Sequence, residues 1–268
     1  MDVQEIAREA FAVLGTGRQV APFSARWPDF RLEDAYRVAA AVRTQRETRG
    51  ERPVGRKIGF TNRTIWAEYN VHAPMWGYLY DRTVRDLPNG SMGASLRGLA
   101  EPRIEPEIVF GLATAPAPGM NERALLGCID WVAHGFEIVQ SIFPGWKFEA
   151  SDTIAANGVH GALLIGPRHP FAPHAAEWRQ KLSTFEIELA CDGRLIDRGT
   201  AENVLGGPLS ALRHLVGLLA SDPVNPKLAA GEIVSTGTLT KAMPVAPGET
   251  WTATPKGIPL DPVHLRFV

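Results

Sequence analysis

The residue types best suited to chemistry lie in Glu101-Pro102-Arg103-Ile104-Glu105-Pro106-Glu107-Ile108-Val109-Phe110. Side chains two apart in an extended strand point to one face, so Glu105 and Glu107 would stand together, with Ile104 and Ile108 on the other face. Two carboxylates that close repel, and burial would raise a pKa steeply. A cation between them removes the conflict. Oxygen ligands without Cys or His favour Mg²⁺, Mn²⁺ or Ca²⁺ over zinc. A solvated edge strand with alternating acids has the same spacing, so this stretch alone leaves both open. A further acid, Glu137, lies between Phe136 and Ile138. It is costly to bury there unless paired or metal-bound. Alone it fits a salt-bridged core acid; beside Glu105 and Glu107 it completes a three-carboxylate site with coordination positions left for substrate and water.

Lys57 sits between Gly55 and Gly59, which let a ligand approach closely, although a surface lysine on an edge strand fits as well. Other constellations fall short. Gly15-x-Gly17 lacks the third glycine of a dinucleotide site, and Gly206-Gly207-Pro208 lacks the Lys-Ser/Thr of a P-loop. Ser24, Ser91 and Ser141 sit in no nucleophile elbow. Cys128 and Cys191 form no CxxC pair, so neither a disulfide framework nor a zinc site is indicated. A formal net charge of -1 over 268 residues gives no electrostatic case for nucleic acid or an anionic membrane. No apolar run has the length of a membrane span, and the polar Met1–Glu5 start is unlike a secretory signal, so a cytoplasmic protein is expected.

These residues need elements to hold them. Helical spacing predicts helices over 2–14 and from about Leu32 to Arg49, giving a helical N-terminal segment over residues 1–50. A short helix over 63–70, capped by Asn62, and an aromatic strand or loop over 74–81 follow. Short β-like runs come next, at 86–88, 94–99, 103–112, 134–141, 160–166, 184–197, 231–240 and 249–267, with Asp192-Gly193 as a hairpin turn. Helices are predicted over 121–132, 172–182 and 207–220, the last with a core stripe of Leu209, Leu212, Leu215, Val216 and Leu219. The expected class is α+β, with one β-rich catalytic unit over 51–268.

Five segments occur in register: Gly55–Asn62, Glu105-Pro106-Glu107-Ile108, Glu137, Asp152–Asn157 and Gly231–Thr240. Together they resemble the fumarylacetoacetate hydrolase superfamily, in its 2-keto-4-pentenoate hydratase and 4-oxalocrotonate decarboxylase branch. The resemblance covers about residues 50–268. It implies a mixed β-roll and a homo-oligomer acting on a small 2-oxo acid. Glu105, Glu107 and Glu137 match the family's ligands for Mg²⁺ or Mn²⁺, and Lys57 its active-site lysine. Thr238 matches residues holding the pyruvyl end of the substrate, Asn157 a pocket residue, and Asp81 an acid near the substrate. One departure stands out. Hydratases of this group usually read Ala-Asp-Asn where this chain has Ala155-Ala156-Asn157, and His160 follows, either as a substrate-binding pocket residue or as an ordinary strand start.

The resemblance implies that substrate chelates the ion, which stabilises an enolate, and that Lys57 beside the cation has a lowered pKa. Hydration of a 2-hydroxydienoate, as in aromatic meta-cleavage catabolism, is the first expectation. Decarboxylation of a 4-oxalocrotonate-type acid comes next. Acylpyruvate hydrolysis ranks third, because the helical N-terminal segment has no histidine to activate water. A non-catalytic metal-binding β protein is the alternative from a different class. Aromatic residues in 62–80 and 142–160 suggest a far wall suited to an apolar or aromatic tail.

Overall fold

The computed structural model describes every residue except 64, 65 and 68–70. The helices are α1 (Val3–Val13), α2 (Phe23–Arg26), α3 (Leu32–Thr48), α4 (Glu122–Leu125), α5 (Ala150–Ala155), α6 (Ala175–Lys181) and α7 (Pro208–Ser221). The strands are β1 (Pro53–Gly59), β2 (Met75–Tyr80), β3 (Val84–Asp86), β4 (Ser91–Ala94), β5 (Arg103–Leu112), β6 (Ile129–Val139), β7 (His160–Ile165), β8 (His169–Pro170), β9 (Glu186–Cys191), β10 (Arg194–Thr200), β11 (Ile233–Thr238), β12 (Met243–Pro244), β13 (Thr250–Lys256) and β14 (Val263–Phe267). They form two curled sheets. The larger runs β2-β1-β11-β5-β6-β7-β3, with β12 beside β5 and β8 beside β6; the smaller runs β10-β9-β13-β14-β4.

The long strands β5 and β6 are covered on both faces, so they read as nearly continuous apolar runs. Ile104, Ile108 and Phe110 of β5 and Phe136 and Ile138 of β6 enter the large core with α7 and the smaller sheet. Val109 and Ala133 face the other way, against Leu79, Leu163 and Ile165. Glu105, Glu107 and Glu137 lie on that second face, as the strand period requires.

The N-terminal helices bury Ile6, Ala10, Val38 and Val42 in a core shared with Ile142, Phe143 and Ile154. Ser24 of α2 donates to the Asp152 carboxylate through its backbone N–H (2.9 Å) and its hydroxyl (2.6 Å). The α7 stripe is buried as its spacing predicts. The stretch Ala201–Ser221 is in fact long and apolar enough to span a membrane, contrary to the sequence expectation. Its helix α7 has only 14 residues and follows a left-handed turn at Leu205, Gly206 and Gly207 (φ 59°, 89° and 141°). Its apolar face lies in the core.

The helix expected over 121–132 ends early: α4 stops at Leu125 and β6 begins at Ile129. Leu125, Ile129 and Val132 fit a helical period, but β6 is laddered along β5 on one edge and along β8 and then β7 on the other, and that pairing wins. The helix expected over 63–70 falls largely outside the described residues.

Candidate active site

Four neighbouring strands, β1, β11, β5 and β6, bring the site together by register. Lys57 lies opposite Ser235, Thr238 opposite Glu107, and Glu105 opposite Glu137. Directly opposed residues have Cβ atoms about 5 Å apart. Acids far apart in sequence are thus held at ligand spacing by backbone pairing alone. One carboxylate oxygen from each of Glu105, Glu107 and Glu137 lies within 4.8 Å of the other two.

Of the two fully buried acids, Glu107 is tethered through one oxygen and Glu137 is engaged through both. Glu107 Oε2 accepts from the Ser235 hydroxyl and from the Gly237 N–H at 2.9 Å. Glu107 Oε1 is buried with no hydrogen-bond partner. Glu137 Oε1 meets His160 Nδ1 at 2.8 Å, and Glu137 Oε2 meets Lys57 Nζ at 2.7 Å. Gly237 is held at φ 96°, and a Cβ there would stand 1.9 Å from Thr61 Oγ1, so only glycine brings this N–H to the acid.

Burial dominates the protonation balance. It pushes the Glu105 carboxyl up from 4.5 to about 7 and Glu107 well above its ordinary value, with Glu137 adding repulsion at both. Burial also acts on Glu137, but Lys57 and His160 outweigh it and hold that carboxyl low. Burial opposes the Lys57 ammonium, yet the charges of Glu137, Glu105 and Glu107 prevail and raise its pKa. That direction is opposite to the one expected from a neighbouring cation, because the three acids enter the same balance. Burial keeps the His160 imidazole neutral.

A bare buried oxygen on Glu107 and converging acids that resist ionisation are what a hard dication relieves. The donor set therefore fits Mg²⁺ or Mn²⁺. Three carboxylates and one ammonium leave a formal charge of −2 for it to neutralise.

Beside this cluster opens a cavity with about 620 Å³ of empty space, its mouth included. Lys57, Glu105, Glu107, Gly237 and Thr238 line it beside the cluster; Phe60, Met75, Trp146, Phe148 and Val159 supply apolar wall, and Arg103 also contributes. The Arg103 guanidinium stacks on the Trp146 ring at 4.2 Å. Phe60, Trp146 and Val159 all carry positive φ (53°, 58° and 56°). Such strained backbone collects where a binding wall is held to shape.

The chain is 30% identical over 257 residues to a 2-hydroxyhexa-2,4-dienoate hydratase of Comamonas testosteroni, covering 96% of this chain and 94% of that protein. It belongs to the 2-keto-4-pentenoate hydratase and 4-oxalocrotonate decarboxylase family. A 4-oxalocrotonate decarboxylase of Pseudomonas sp. strain CF600 is 31% identical over 244 residues, or 90% of this chain and 88% of that one. The structure of 4-oxalocrotonate decarboxylase from Pseudomonas putida G7, complexed with magnesium and adipate, superposes with a TM-score of 0.89 at 27% identity over 99% of this chain and 97% of that chain. Fumarylpyruvate hydrolase from Pseudomonas aeruginosa, solved with Mn²⁺ and pyruvate, shares the fold alone: TM-score 0.57 and 16% identity over 80% of this chain and 88% of that one. No family model matches the chain.

Within this hydratase and decarboxylase family chain, Lys57, Glu105, Glu107, Glu137 and Thr238 meet at one cluster and cavity. The Thr238 hydroxyl donates to Thr240 O at 2.9 Å. The other expected residues lie elsewhere. His160 is buried behind Glu137 and does not line the cavity. Asn157 uses its amide on β2, accepting from Tyr78 N–H and donating to Tyr78 O, while its neighbours Gly158 and Val159 form the wall. Asp81, expected near substrate, follows β2 and binds the Arg52 backbone N–H at 3.0 Å and its guanidinium at 3.2 Å, outside the cavity. Its carboxylate is taken by Arg52, 29 positions earlier in the chain.

Sequence reasoning missed Ser235, Gly237 and Thr83. The first two alternate with Glu107 across β11, so strand period together with pairing would have found them. Thr83, 77 positions from His160, leaves no local signal.

Proposed function

We propose that this protein is a divalent-ion-dependent lyase that hydrates a 2-hydroxydienoate or its 2-oxo-enoate tautomer, as in aromatic meta-cleavage catabolism. The observation carrying this is the convergence of Glu105, Glu107 and Glu137 beside Lys57, next to a cavity with an apolar wall. Whole-length similarity to a 2-hydroxyhexa-2,4-dienoate hydratase supports it.

Glu105, Glu107 and Glu137 would hold Mg²⁺ or Mn²⁺, which supplies Lewis-acid stabilisation of negative charge developing on the 2-oxo oxygen. Lys57, its ammonium favoured by the surrounding acids, holds a proton at Nζ for delivery to that oxygen. Thr238 orients the pyruvyl end. Trp146, Phe148, Val159 and Met75 take the apolar tail and limit stray water. No step is assigned to Asp81 or Asn157, and His160 acts through Glu137.

Incubation with 2-hydroxypenta-2,4-dienoate and Mg²⁺ tests the assignment: dienol absorbance falls faster than spontaneous ketonisation. Unchanged decay with both Mg²⁺ and Mn²⁺ refutes it. Decarboxylation is the second reading, favoured by Arg103, which shares the Glu105 face of β5 and the cavity and could receive a second carboxylate. Release of CO₂ from 2-oxohex-3-enedioate without dienoate hydration would select it. The working protein is inferred to be a cytoplasmic homo-oligomer, and sedimentation velocity reads its assembly state.

A further inference from the structure

His160 and Thr83 form a buried pair behind Glu137. His160 Nδ1 is 2.8 Å from Glu137 Oε1, and Nε2 is 2.9 Å from Thr83 Oγ1. A carboxylate only accepts, so Nδ1 must carry the hydrogen. Nε2 meets the Thr83 hydroxyl, which itself donates to the Tyr80 carbonyl at 3.1 Å and is thereby fixed in place. Contacts at both ring nitrogens thus hold the imidazole in one orientation.

Glu107 shows the same design with different parts. Ser235 and Gly237 take one of its oxygens and leave the other bare in the cluster. On Glu137 the oxygen not held by His160 is the one beside Lys57.

We propose that His160, with its ring oriented by Thr83, is a positioning residue that engages Glu137 Oε1 and thereby fixes Oε2 as the oxygen offered to the ion and to Lys57. This rests on the ion-dependent lyase assignment. Without the donor at Oε1 the carboxylate turns about its last torsion, and either oxygen or both can face the cluster. Partners of this kind change metal affinity by about 10–100-fold when removed.

The test is calorimetric titration of full-length, EDTA-treated protein with Mn²⁺. Three variants separate the two ring nitrogens. His160→Asn places an amide N–H near the Nδ1 position and keeps the donor to Glu137. His160→Gln extends toward Thr83 and loses that donor. Thr83→Val keeps the shape of residue 83 and removes its hydroxyl. The expected result is Mn²⁺ binding weakened about 10–100-fold in His160→Gln, near wild type in His160→Asn, and weakened several-fold in Thr83→Val. A role in packing alone would weaken the two His160 variants alike and leave Thr83→Val unchanged. That pattern, or His160→Gln binding as wild type does, overturns the inference while leaving the ion site standing. A wild-type protein that binds no Mn²⁺ overturns the ion assignment and this inference together.

Discussion

Replacing Lys57 by Met removes the one ammonium that, among the described residues, faces the Glu105, Glu107 and Glu137 cluster. Glu137, held ionised by Lys57 and His160, loses its main counter-charge. Breaking a buried pair from one side costs about 3–5 kcal/mol. The carboxylate has an escape, which is to take up a proton. From an ordinary value of 4.5, protonation costs about 4 kcal/mol at pH 7.5 and about 2 kcal/mol at pH 6, at 1.36 kcal/mol per unit. The penalty therefore has a ceiling that falls with pH. At roughly 2–4 °C per kcal/mol for a chain of this size, Lys57→Met in EDTA melts about 8–16 °C below wild type at pH 7.5 and about half that far below at pH 6. Saturating Mn²⁺ neutralises Glu137 in place of the lysine and narrows the gap. Thermal unfolding by circular dichroism reads all four conditions. A gap of constant size across both pH values, with or without Mn²⁺, would refute the reasoning and leave Lys57 as a packing residue.

Other outcomes follow from the same geometry. Glu105 has a folded pKa near 7 against 4.5 unfolded, so the folded state binds this proton more tightly. Its contribution to stability is complete below about 4.5 and is lost as pH rises through about 7; in EDTA the melting temperature should fall over that window, while Mn²⁺ affinity measured by calorimetry rises over it. Gly237→Ala pushes a methyl onto Thr61 and withdraws the N–H from Glu107, so Mn²⁺ affinity should drop at least tenfold, with a melting loss matching about 1–3 kcal/mol of backbone strain. Trp146→Ala removes cavity wall and the Arg103 stack, and steady-state kinetics should show KM raised about tenfold with kcat little changed. Asp81→Asn, at a site outside the cavity, should leave kcat/KM within about twofold of wild type; a hundredfold loss would return Asp81 to the chemistry.

The acid site was legible because strand period is rigid. Glu105 and Glu107 two apart, and Glu137 inside an apolar run, needed only the assumption of strands. That Glu137 lies opposite Glu105 was beyond periodicity, since register is fixed by the whole β5–β6 ladder. The same limit explains the misplaced helix at 121–132. Leu125, Ile129 and Val132 fit the helical period, and only pairing with β5 and β8 overrides it. His160 was visible as a departure from Ala-Asp-Asn neighbours, but its partner was not. Thr83 joins it through a turn after β2, a contact that no local pattern records. Asn157 and Asp81 show the converse. Both have side chains fit for a pocket, and both are committed to backbone groups that the sequence does not display.

Glu101 is a junction whose effect reaches further than its position suggests. One of its oxygens accepts from Gln19 at 2.8 Å and from Gly145 N–H at 2.9 Å, and its carbonyl accepts from the Trp146 indole at 3.1 Å. The leading arm of the chain is thus coupled to a ring that lines the cavity. On the proposed reading, substitution of Gln19, which does not line that cavity, is expected to alter tail preference through Glu101 and Trp146.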